Sequence, residues 1–220
     1  MRGGRYIFLA GLSLALVAAD QGTKWWAATA LATRVVERSR PACHEDDGPF
    51  ERRVRYYRDP SRDIHVIDGH FTLLYVENCA GAFGILRDQE ESVRRPFFLA
   101  VTVAAVVFIV LLFRRLREDQ KLLMVALPFV LGGAVGNLVD RIHLRYVIDF
   151  VDWYHGTYHW PTFNVADAAI VVGVGLILLD MFPLKRTESS PARTASPTEI
   201  EESRPEDDRT EDAPSAEGKG

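Results

Sequence analysis

A chain of 220 residues with 48% hydrophobic residues and 26 Lys/Arg against 30 Asp/Glu lacks the basic excess that nucleic-acid binding needs. Residues 184–220 hold 6 Lys/Arg and 10 Asp/Glu, which accounts for the whole net charge of −4. The six His and two Cys show no HExxH or CxxC spacing, so no metal and no other cofactor is implied.

At the N-terminus, Arg2 and Arg5 precede the apolar run Tyr6–Ala19, which Asp20-Gln21-Gly22-Thr23-Lys24-Trp25-Trp26 interrupts. Basic residues, an apolar stretch and the small residues Val17-Ala18-Ala19 fit a cleaved signal peptide. They fit equally a retained membrane helix over about residues 6–26, with Asp20 and Lys24 one turn apart on one face and both tryptophans in the interfacial belt. Three later apolar runs favour the retained helix.

Arg34–His70 carries eight Lys/Arg and eight Asp/Glu, with turn-prone stretches at His44–Pro49 and Asp59-Pro60. Together with the β-prone pieces Val54–Tyr57, Ile64–Ile67 and Phe71–Val76, it predicts a small water-exposed sheet within residues 34–88. Glu77–Gly84 then gathers small residues around Asn78, a composition suited to a tight turn. Cys43 and Cys79 are read as unpaired, a disulfide being open to them only if both lie outside the cytoplasm.

Phe97–Phe113 is 17 uncharged residues and predicts a span over about 95–113, followed by Arg114, Arg115, Arg117 and Lys121. Leu122–Val139, 18 uncharged residues, predicts another over about 122–140, in which Pro128 is tolerable because membrane helices re-satisfy the freed carbonyl locally. Arg141–Pro161 is aromatic and polar, with Asp149, Asp152, Trp153, Tyr154, Tyr158 and Trp160, and reads as a segment lying at the interface. Within it His155 and His159 read as a solvated or interfacial pair. The last span, about 164–183, ends at Pro183, Lys185 and Arg186. Residues 184–220 are rich in Glu, Asp, Pro, Ser and Thr and predict a disordered tail. Four spans bring both termini to one side, and the basic span ends make that side cytoplasmic, leaving the β-rich segment outside.

Two stretches carry chemistry: Gly132–Arg141, GGAVGNLVDR, and Phe163–Asp167, FNVAD. On a helix, Gly132, Gly136 and Asp140 form one i, i+4 row, and Gly133, Asn137 and Arg141 the row beside it. Each stretch has a plain structural reading. Asn164 can cap a helix with Asp167 at its third position, and Asp140-Arg141 can end a helix as an interfacial pair. Taken together, an outward helix end and an outward helix start place two carboxylates side by side, where they share a proton and hydrolyse an amide without metal or covalent nucleophile. The alternatives are a small transporter in which Asp20, Asp140 and Asp167 relay protons, and an inactive lipopeptide-binding homologue.

GGAVGNLVDR, FNVAD, the Asp20-Gln21-x-Thr-Lys24 turn and the Asn78-x-x-Gly-Ala-Phe-Gly turn, in this order among four spans, resemble the lipoprotein signal peptidases, or signal peptidase II family, over about Tyr6–Phe182. The resemblance implies an α-helical membrane aspartic peptidase with four transmembrane helices and a small extracytoplasmic β-rich domain. It further implies removal of signal peptides from diacylglyceryl-modified prolipoproteins, just before the lipidated cysteine, in the bacterial cytoplasmic membrane. Carried over by motif, Asp140 and Asp167 are the expected catalytic pair. Asn78, Asn137, Arg141 and Asn164 are expected to contact substrate, with Asp20 and Lys24 as the polar pair of the first helix. The partners implied are diacylated prolipoproteins and membrane lipid, with a monomer expected. Two departures stand out: the glycine after Asn78 falls one place later than in the family's x-Gly-Ala-Ala-Phe, and residues 36–62 form a longer insertion.

Overall fold

The computed structural model describes residues 2–39, 51–79, 89 and 91–182. The expected tail, the tip of the 36–62 insertion and the displaced Gly81 lie outside the described residues. In chain order the elements are α1 (Arg2–Ala30), β1 (Ala32–Ser39), β2 (Glu51–Arg58), β3 (Ile64–Ile67), β4 (Phe71–Asn78), α2 (Glu91–Arg115), α3 (Lys121–His143), β5 (Val147–His155), β6 (Tyr158–His159) and α4 (Val165–Met181). Over Gly3–Ala30, Ser92–Arg115 and Lys121–His143, the first three helices are long and apolar enough to cross a membrane. α4 is shorter, at 17 residues.

The helices outrun their apolar runs. α1 continues through Asp20 and Lys24 because both side chains turn inward, and α3 continues one turn past the uncharged stretch. It ends where Leu144 N and Arg145 N both donate to the Asp140 carbonyl, at 2.7 and 3.2 Å, with Arg145 in the left-handed region at φ 73°. This is an αL stop without the usual glycine, and it turns the chain directly into β5.

Close helix packing follows from small residues. A Cβ on Gly132 would lie 2.8 Å from Leu16 Cβ and 3.1 Å from the Ser13 carbonyl, so α3 touches α1 there. A Cβ on Gly133 would overlap the Ala166 carbonyl, so one residue later α3 touches the first turn of α4. At the opposite end of the helices, Arg5 donates to the Phe113 and Leu116 carbonyls at 3.3 and 3.0 Å and stacks over the Phe113 ring. A cation therefore satisfies the exposed carbonyls that end α2, and the start of α1 is pinned to the end of α2.

The strands form a two-stranded antiparallel sheet, β1-β2, and a four-stranded one in the order β3-β4-β5-β6. β5 occupies what the sequence reads only as an interfacial stretch. It pairs with β4 from Asn78↔Val147 to Phe71↔Trp153, so the two helices α2 and α3 are inserted between hydrogen-bonded neighbours. Ala27, Ala28 and Leu31 at the end of α1 pack in one buried cluster with Tyr75, Tyr146, Ile148 and Phe150, seating this sheet on the helices. Burial and the adjacent Tyr146 and Glu77 raise the Tyr75 phenol far above its ordinary value, so it stays neutral. Cys79, expected to be unpaired, is disulfide-bonded, and Cys43 lies outside the described residues.

Candidate active site

The polar residues of α1 meet those of α3 in a sealed cluster. Asp20, Lys24 and Asp140 are 1%, 2% and 2% exposed, a depth at which a charge persists only if paired and hydrogen-bonded. Lys24 Nζ lies 2.8 Å from Asp20 Oδ2 and 2.9 Å from Asp140 Oδ2. Gln21 Nε2 donates to Asp140 Oδ1 at 2.8 Å, and Ile148 N donates to Asp140 Oδ2 at 3.2 Å. The other Asp20 oxygen accepts from Ala166 N at 3.0 Å. Asp20 thereby ties α1 to the first turn of α4, while Asp140 ties α3 to α1 and to the start of β5.

The expected juxtaposition of Asp140 with Asp167 is therefore corrected, and the helix rows give the reason. Gly132, Gly136 and Asp140 all face α1: the first meets Leu16 and Ser13, the second would press a Cβ within 2.6 Å of Asp20 Oδ2, and the third binds Lys24. The neighbouring row faces α4, since Gly133 abuts Ala166 and Asn137 Nδ2 donates to Asp167 Oδ1 at 2.8 Å. A carboxylate three residues beyond Asn137 points to a different helix.

The carboxylate near Asp167 is Asp149, on β5. It is fully buried and accepts from Asn78 Nδ2 at 2.8 Å and from Asn164 Nδ2 at 2.7 Å. Asn164 also caps α4: its Oδ1 accepts from Asp167 N at 3.0 Å, while Asn164 N donates to Asp167 Oδ2 at 3.3 Å, completing a capping box. The capping reading of Asn164 thus holds, and the same side chain reaches Asp149. Its amide further donates to Asn137 Oδ1 at 3.2 Å, which Lys24 Nζ also approaches at 2.9 Å. Three asparagines from β4, α3 and the α4 cap therefore cradle two carboxylates, and Lys24 backs one of them.

Burial, and next the charge of Asp167, push the Asp149 carboxyl up to about 7, against the opposing pull of Asn78, Asn164 and Lys24. A carboxyl held protonated near neutral pH can serve as a general acid beside a second carboxyl. Arg141 stands at the edge, its guanidinium 5.4 Å over the Phe98 ring and donating to the Asn137 carbonyl at 3.4 Å. Its charge and those of Asp167, Asp149 and Asp140 act on one another.

Of the eight residues expected at the site, Asn78, Asn137, Asn164 and Asp167 gather around Asp149, Arg141 flanks them, and Asp20, Lys24 and Asp140 form the supporting cluster. Asp149 is the addition. Its signal in the sequence is a lone acid inside Val147-Ile148-Asp149-Phe150-Val151, because an acid within an apolar strand is buried, and a buried acid needs partners.

The family model for signal peptidase (SPase) II matches residues 12–183. The lipoprotein signal peptidase of Geobacter metallireducens is 49% identical over 128 residues, 58% of this chain and 78% of that protein. The one from an Anaeromyxobacter species is 39% identical over 178 residues, 80% of this chain and 84% of its own length. Among solved structures, a bacterial membrane enzyme determined by the in meso method at 2.3 Å superposes with a TM-score of 0.60 at 24% identity, covering 83% of this chain and 94% of the other. That likeness speaks to the fold.

Proposed function

The chain belongs to the signal peptidase II family, and from that premise we propose that it cuts diacylglyceryl-modified prolipoproteins just before the lipidated cysteine, with Asp149 and Asp167 as the reacting pair. Family membership makes it a hydrolase acting on prolipoproteins, which displaces the transporter reading. The observation that carries the pair is the raised Asp149 carboxyl beside Asp167, both held by Asn164.

In the mechanism that follows, Asp167 takes a proton from water as the oxygen attacks the scissile carbonyl, and Asp149 gives its proton to the carbonyl oxygen. Collapse of the resulting diol returns a proton to Asp149, while the proton on Asp167 passes to the leaving nitrogen. Asn137 from α3 and Asn164 from the α4 cap hold the Asp167 carboxylate in place, and Arg141 holds the substrate backbone. No metal or covalent intermediate enters the scheme.

The same reading takes α4 as a fourth span, both termini as cytoplasmic, the sheet as extracytoplasmic and the site as near the outer face of the bacterial inner membrane. Three features support it. Arg5 meets the basic end of α2, Cys79 is in a disulfide of the kind that persists outside the cytoplasm, and Trp153, Tyr158 and Trp160 stand exposed on the β5–β6 hairpin, as interfacial aromatics do.

Two measurements test the scheme. A purified precursor carrying the diacylglyceryl group is expected to be cut, and the same precursor without it to be left intact; equal rates would remove the lipid from recognition. Second, kcat/KM is expected to fall as pH rises through about 7, because Asp149 then loses the proton it must donate. The stability sign agrees. Its folded value lies above the ordinary 3.8, so its contribution is complete below that value and is lost as pH rises through about 7. A flat profile between pH 6 and 9, judged against that value, would contradict the assignment.

A further inference from the structure

Among the described residues, four histidines lie on the four-stranded sheet and its turns, and two of them are committed elsewhere: His65 Nδ1 is 3.0 Å from Thr72 Oγ1, and His159 Nδ1 is 3.1 Å from Asp152 Oδ1. The other two face each other. His70, in the turn between β3 and β4, and His155, near the end of β5, are both exposed, with His155 Nδ1 3.0 Å from His70 Nε2. Tyr154 N donates to the His70 carbonyl at 2.8 Å, fixing one backbone against the other.

The proton positions follow from the partners. His70 Nδ1 lies 3.3 Å from the Asp68 carbonyl, which can only accept, so that nitrogen carries the hydrogen. In the neutral ring Nε2 then has a free lone pair, 3.0 Å from His155 Nδ1. A carbonyl holding the far N–H of an imidazole is the arrangement that orients metal-ligating histidines. With bonds of about 2.0–2.1 Å, two imidazole nitrogens at a right angle on one metal stand about 2.9 Å apart, and at the tetrahedral angle about 3.4 Å. The observed 3.0 Å is a hydrogen-bond separation, and a square or octahedral ion would bridge it with little change.

We propose that His70 and His155 form a two-imidazole site for a late first-row divalent cation of tetragonal or octahedral preference, Cu²⁺ or Ni²⁺, its remaining positions filled by water. Binding moves the His155 proton from Nδ1 to Nε2 and joins the β3–β4 turn to the end of β5. His155 is six residues along β5 from Asp149, about 20 Å at strand rise, so the cation takes no part in peptide cleavage.

The test uses the full chain in detergent micelles, purified without a polyhistidine tag and titrated with CuCl₂. One Cu²⁺ is expected to bind per chain, its electron paramagnetic resonance spectrum split by two imidazole nitrogens, and to raise the thermal midpoint. His70→Ala and His155→Ala are each expected to weaken binding by at least roughly 100-fold, with cleavage activity and the unliganded midpoint kept. His65→Ala is expected to bind as the parent does. Equal Cu²⁺ affinity in a His70→Ala/His155→Ala double variant, a spectrum with a single nitrogen, or no binding by the parent would each overturn the site.

Discussion

Asp149→Asn lowers kcat/KM on a lipidated prolipoprotein by at least on the order of 10²- to 10⁴-fold, the range that one positioned acid or base contributes, while the protein stays folded. Asparagine keeps the shape but cannot give a proton to the carbonyl oxygen, and Asp167 alone cannot act as acid and base at once. The informative partner is Asp140→Asn. That change leaves Lys24 Nζ, 2.8 Å from Asp20, without its second carboxylate, and disrupting a buried ion pair costs roughly 3–5 kcal/mol. Its expected signature is a lower thermal midpoint, with most of the cleavage rate kept per folded molecule. Activity and midpoint measured on both variants separate the two roles. Near-parental cleavage by Asp149→Asn, or an inactive yet fully stable Asp140→Asn, would falsify the reassignment.

The helices were legible because each is an apolar run closed by charge, and the resemblance carried over four residues that do gather at the site: Asn78, Asn137, Asn164 and Asp167. What stayed hidden depends on direction and on distant pairing. The two glycine rows of α3 are visible in the sequence, but nothing local says which faces α1 and which faces α4, and Asp140 is on the α1 side. β5 was missed as a strand because its hydrogen-bonded neighbour lies before α2, with Val147 opposite Asn78; no sequence window contains both. Lys24 read as half of an intrahelical pair, whereas its reach to Asn137 joins the supporting cluster to the carboxylate cradle.

Gly133→Ala is expected to lower kcat/KM by on the order of 10²-fold, although it adds one methyl group and touches no reacting atom. That methyl would occupy the space of the Ala166 carbonyl and crowd Ile170 Cγ1. A flexible side chain could yield, but a carbonyl in the first turn of α4 moves only with its helix. The same turn carries Asn164 and Asp167, and a displacement of about 1 Å in a positioning element costs about that factor. Gly136→Leu should also impair cleavage by a different route, since its new atoms press on Asp20 Oδ2 and through Asp20 on Ala166 N. Gly175→Ala, whose Cβ would meet nothing within 4 Å, should leave the rate unchanged and serves as the control. If Gly133→Ala cleaves at the parental rate, α4 is free to shift without loss, and the close approach of α3 and α4 does not set the position of Asp167.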